Sequence, residues 1–67
     1  MKLLAQRGSY KFLILDNKRK FLVDILFSTV FEIKDINDVL KFGYWEKVSA
    51  NRIATEKIIK GLLKGAK

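Results

Sequence analysis

Sixty-seven residues with a net charge of +7, no Cys and no His exclude a disulfide-stapled scaffold, an ordinary zinc centre, and chemistry that needs an imidazole or a thiolate. A chain this short buries only about 60% of its unfolded surface, yet with 49% hydrophobic residues it is too apolar for a disordered tail. It reads as one compact domain over residues 1–67, or as a subunit that finishes its core by oligomerising.

The charge is unevenly spread. Residues 1–20 carry six bases and one acid, residues 21–46 two bases and five acids, and residues 47–67 six bases and one acid. Basic ends around an acidic middle point to a polyanionic partner, or to a charge that only keeps the chain soluble. The lack of Cys fits a reducing, cytoplasmic setting. Met1-Lys2-Leu3-Leu4-Ala5 begins like a signal peptide, but Gln6-Arg7-Gly8-Ser9 cuts the apolar run short. The longest apolar run, residues 12–15, falls far below the roughly 20 residues that cross a bilayer.

In chain order, residues 1–6 are short and apolar at Leu3 and Leu4, and Arg7-Gly8 supplies a turn. Residues 9–15 read as a strand with Tyr10, Phe12 and Ile14 on one face and Lys11, Leu13 and Leu15 on the other. Both faces are largely apolar, so this strand is expected to be central or covered on both sides. The polar knuckle from Asp16 to Lys20 turns the chain. Residues 21–27 read as the return strand, with Asp24 marking a face that is partly wet or else pairs its carboxylate. Ser28-Thr29 reads as a bulge or tight bend, and residues 30–34 continue extended.

At Asp35 the period changes. Asp35 is a good N-cap, and Asp38 three residues on is a weak capping box. Ile36, Val39 and Leu40 share one side of a short helix that Gly43 closes. Residues 44–48 suit an edge strand or a loop. Ser49 is an N-cap candidate for the last helix. In it Ala54, Ile58, Ile59, Leu62 and Leu63 form an apolar stripe opposite Lys57, Lys60, Lys64 and Lys67, with Ile53 misplaced on the basic side. The expected fold class is α+β: a small antiparallel meander of about three strands, a short helix, and a C-terminal amphipathic helix packed on the sheet.

Enzymatic machinery is nearly absent. The Ser and Thr hydroxyls lack an obvious base, Asp35 and Asp38 are better explained as caps, and no acidic spacing matches a metal loop. A non-enzymatic chain without cofactor or metal is the expectation. Three groups remain. Lys18, Arg19 and Lys20 sit at the hairpin tip, where a basic ribbon can clamp phosphates, with Arg7 and Lys11 extending it. A hairpin tip must be polar in any case. Lys57, Lys60 and Lys64, with Lys67 and Arg52, form a row suited to a phosphate backbone, or the wet side of an ordinary surface helix. Residues 57–67 also resemble an interfacial membrane helix, but the sheet needs the same apolar stripe, which disfavours a membrane partner. Phe42, Tyr44 and Trp45, between Lys41 and Lys47, can stack on unpaired bases, anchor an interface, or pack around the Gly43 turn.

The leading expectation is a small basic domain that binds DNA or RNA through phosphate contacts. The alternative is a protein-interaction module, an inhibitor, adaptor or homo-oligomeric subunit, using apolar and aromatic surface. In that reading Asp24, Glu32, Asp35 and Asp38 form an acidic face that meets a basic partner.

Overall fold

Asn17 and Lys18 both adopt positive φ, 51° and 65°. This is the two-residue turn whose backbone twist matches that of the strands it joins. It connects β2 (Lys11–Asp16) to β3 (Arg19–Asp24), with Asp16 opposite Arg19. In the computed structural model, which describes residues 1–48 and 52–65 without the side chains of Arg52 and Ile53, two further strands flank this hairpin. β1 (Lys2–Arg7) pairs with β2 and β4 (Thr29–Ile33) pairs with β3, giving an antiparallel sheet in the order β1-β2-β3-β4. Helices α1 (Ile36–Leu40) and α2 (Arg52–Gly65) complete a small α+β fold. Ser49, Ala50 and Lys67 lie outside the described residues.

The sheet has four strands rather than about three. Residues 2–7 escape the period-two pattern because the register shifts between Leu3 and Ala5. Leu3 faces Ile14 and Gln6 faces Phe12, so two residues of one face stand three apart in sequence. β1 in turn gains one more neighbour. Gln6 and Glu46 exchange both backbone hydrogen bonds, at 3.0 and 2.9 Å, which makes residues 44–48 a loop with a single bridge.

One face of the sheet carries Phe12, Ile14, Phe21 and Val23, and Ile59 of α2 buries itself among them. Leu3, Ile25, Val30, Leu62 and Leu63 pack around this centre. The buried stripe of α2 is thus Ile59, Leu62 and Leu63. Ala54 is exposed and Ile58 is 49% exposed, so the stripe read from the sequence was too wide.

Leu13 is fully buried on the opposite face. The chain after β4 must travel from that edge of the sheet to the β1 edge, where Glu46 pairs. It crosses the Leu13 face. Arg7, which alternates onto that face with Leu13, lies so close under Gly43 that a Cβ there would stand 2.5 Å from its guanidinium carbon. Both faces of β2 are therefore covered, as its apolar faces require.

Strand β3 stops at Asp24, three residues before the apolar run ends. The buried Asp24 carboxylate accepts hydrogen bonds from the Leu26 and Phe27 amides, at 3.0 and 3.1 Å, and turns the chain. Ser28, at φ 54°, completes a tight bend. Leu26 and Phe27 are consequently exposed, not strand residues. Asp35 caps α1 by accepting from Asn37 N at 3.0 Å, while Asp38 turns to Lys41 instead of closing a capping box. The backbone cap of α1 is Lys41, and Gly43 follows at φ +79°.

Candidate nucleic-acid interface

The β2–β3 turn, the start of β1 and the end of β4 all lie at one end of the sheet. Register fixes this: Lys2 pairs with Leu15, Asp16 with Arg19, and Lys20 with Ile33. The turn presents Lys18, and alternation sends Lys20 and Arg19 to opposite faces. The basic knuckle is therefore not a tip of three residues. Lys18 alone sits in the turn, and Arg19 and Lys20 belong to β3.

Two open hollows lie at this end. One, of about 380 Å³, is lined by Lys18, Arg19, Lys20, Glu32, Ile33 and Lys34. The other, of about 300 Å³, is lined by Met1, Asp16, Lys60, Leu63 and Lys64. These volumes fall at the bottom of the small-molecule range, and most of the residues around them are charged, although much of the exposed wall is contributed by their apolar stems. They suit an extended anion better than a compact apolar ligand.

Asp16 ties the two hollows together, since it lines the second and pairs with Arg19 of the first. The basic residues around the two hollows form a rim at this end of the sheet, which spans both faces, with Lys20 on the side away from α2. Lys60 and Lys64 belong to it. Lys57 is exposed but lines neither hollow. Arg7 and Lys11 pair at the opposite end of the sheet, so they do not extend the turn's surface.

Within the rim, Arg19 is engaged. Its guanidinium donates to Glu32 in a fork, Nε to Oε2 at 2.9 Å and a terminal nitrogen to Oε1 at 2.7 Å, and it also lies 5.1 Å from the Phe21 ring centre. The hydrogen bond to Arg19, reinforced by its charge, holds the Glu32 carboxyl below the usual carboxylate range. The Met1 amino group lies 3.7 Å from Asp16. By contrast, Lys2, Lys18, Lys20, Lys34, Lys60 and Lys64 have no carboxylate at ion-pair distance among the described residues.

Lys2 and Lys34 were not singled out from the sequence. The signal for Lys34 was available: counting back from the Ser28 bend places it opposite Arg19, beside the β2–β3 turn. For Lys2 the register shift in β1 hides the position.

The acids of the middle segment do not form a face. Asp24 holds backbone amides, Glu32 holds Arg19, Asp35 caps α1 and Asp38 pairs with Lys41 at 3.7 Å. The aromatic group is split as well. Phe42 and Tyr44 are 66% and 78% exposed, so they do not pack into a core around Gly43. Trp45 is half-buried and donates its indole N–H to the Phe42 carbonyl at 3.1 Å. This group adjoins Arg7, at the end of the sheet away from the rim.

Among the described residues, no helix is long and apolar enough to cross a membrane. Comparison with protein-family models, with curated proteins and with solved structures finds no match to this chain.

Proposed function

We propose that the chain is a non-enzymatic, cytoplasmic nucleic-acid-binding domain whose basic rim grips the phosphate backbone. The observation that supports this reading is that Lys18, Lys20 and Lys34 line one hollow and Lys60 and Lys64 another at the same end of the sheet, where Asp16 of the second pairs in register with Arg19 of the first. Lysines without carboxylate partners are point charges, and such charges release counterions on binding without reading sequence. Four or five phosphate contacts correspond to a slope of about −4 for log K against log salt on duplex DNA. Binding of a short duplex is expected at about 50 mM salt and to weaken by roughly two orders of magnitude at 200 mM. No binding at the lower salt overturns the reading.

A second reading, a protein-interaction module, has one observation in its favour: Phe42 and Tyr44 are exposed on either side of Gly43, remote from the rim. Exposed aromatics of this kind anchor protein interfaces. Under that reading, replacing both by Ser abolishes partner capture and leaves duplex binding unchanged.

A further inference from the structure

We infer that the outer edge of β4 is a self-association seam, at which a second copy of this chain pairs antiparallel about Phe31. The inference is independent of nucleic-acid binding. It begins with the two edges of the sheet, which are treated differently. At the β1 edge, Gln6 points its backbone groups outward and Glu46 meets them. At the β4 edge no described segment pairs outside β3.

The direction of each backbone group follows from the two-residue turn. A pair that closes such a turn is hydrogen-bonded, so Asp16 and Arg19 point at each other. Alternation then points Lys20, Leu22 and Asp24 of β3 toward β4, where they meet Ile33, Phe31 and Thr29. Val30 and Glu32 are left with their N–H and C=O groups facing outward. The same count, carried to the other edge, makes Gln6 the outward residue of β1, in agreement with its bonds to Glu46.

Edge strands are normally guarded by Pro, by a bulge or by charge pointing into the seam. The chain has no Pro, and β4 pairs with β3 without a register shift. It also carries a 59% exposed phenylalanine, Phe31, at its centre.

The strand is self-complementary in one register. Centring the two-fold axis on Phe31 sets Val30 opposite the second copy's Glu32, and Glu32 opposite its Val30. Both outward residues then form hydrogen-bonded pairs. Phe31 faces Phe31 across a non-hydrogen-bonded pair, where side chains approach most closely and aromatic pairs contribute. Shifting the axis to Glu32 opposes two carboxylates and uses one pair only. The antiparallel arrangement also sends the two Lys34 ends, and with them the two basic rims, to opposite ends of the seam, so two chains of charge +7 can approach. A seam of one short strand belongs to the smallest interface class, so the dimer is weak and concentration-dependent.

The test uses the absence of Cys in the chain. Phe31→Cys places two thiols on directly opposed residues, at a Cα separation of about 4.5 Å, inside the range that disulfides span. Ser9→Cys, in an exposed turn at the far edge, serves as the collision control. Under mild oxidation, Phe31→Cys is expected to cross-link at least about tenfold faster than Ser9→Cys, because pairing raises the effective thiol concentration. Sedimentation of the unaltered chain is expected to show a rising weight-average mass with concentration. Equal cross-linking rates, or an unaltered chain still monomeric at about 1 mM, overturn the inference.

Discussion

Arg19 reaches diagonally across the β3–β4 pair to Glu32, which stands opposite Phe21, and holds it in a two-point ion pair with donor–acceptor distances of 2.9 and 2.7 Å. The pair is exposed, so its weight for stability is small. Its weight for the rim is larger, because among the described residues it withholds the one guanidinium that lines the hollows from any phosphate. Glu32→Gln removes a carboxylate and releases Arg19. Duplex affinity is expected to rise several-fold at about 100 mM salt, and the salt slope to steepen by about 0.9. Titrating the variant beside the parent chain checks this; an unchanged affinity places Arg19 outside the contact surface.

The same pair has a pH signature. The folded-state pKa of Glu32 is lowered, first by its hydrogen bond to Arg19 and also by that residue's charge. A depressed carboxylate contributes stability that is present above its unfolded pKa and is lost as pH falls through its folded pKa. The difference in melting temperature between the parent chain and Glu32→Gln is therefore expected to be constant near neutrality. It should shrink as pH falls through the acid range below the ordinary Glu value. A difference that grows on acidification contradicts the assignment.

Lys18 occupies a position that glycine prefers, with φ 65° in a turn that needs positive φ at both central residues. Lys18→Gly is expected to stabilise the fold by about 1 kcal/mol. It also removes a rim charge, so duplex affinity should fall. Opposite signs in melting and in binding mark a residue kept for contact at the expense of backbone comfort. A loss of both marks a side chain that supports the fold.

Ile58 and Ile59 are adjacent in sequence and unequal in the structure. Ile59 is fully buried among Phe12, Ile14, Phe21 and Val23, whereas Ile58 is 49% exposed. Ile59→Ala is expected to cost about 2–5 kcal/mol, and Ile58→Ala roughly 1 kcal/mol or less. Denaturant unfolding of both variants checks the orientation of α2 on the sheet.

That pair of residues also shows where sequence reading loses resolution. A 100° period identifies an amphipathic helix, but a stripe of five positions is wider than the strip of helix that touches a sheet. The central hairpin, the Asp35 cap and the last helix were legible because each rests on local chemistry: a turn residue, a carboxylate near free amides, a period. What stayed hidden depends on partners distant in sequence. β1 is masked by its register shift at Leu3 and Ala5, and the early end of β3 by a carboxylate that looks like a wet strand position. The rim combines both kinds. Its hairpin and helix lysines were visible as separate groups, and what brings them to the same end of the sheet is tertiary: the register that sets Asp16 opposite Arg19, and the packing of α2 that puts Lys60 and Lys64 beside Asp16.

The most direct measurement is the salt dependence of duplex binding for the triple variant Lys18→Gln/Lys60→Gln/Lys64→Gln, compared with the parent chain and with Lys57→Gln. If turn and helix grip one backbone together, the triple variant lowers the slope by about 2–3, while Lys57→Gln lowers it by less than about 0.5. A triple variant that keeps the parent slope, or a Lys57→Gln change as large per lysine as that of the rim, contradicts a shared basic rim.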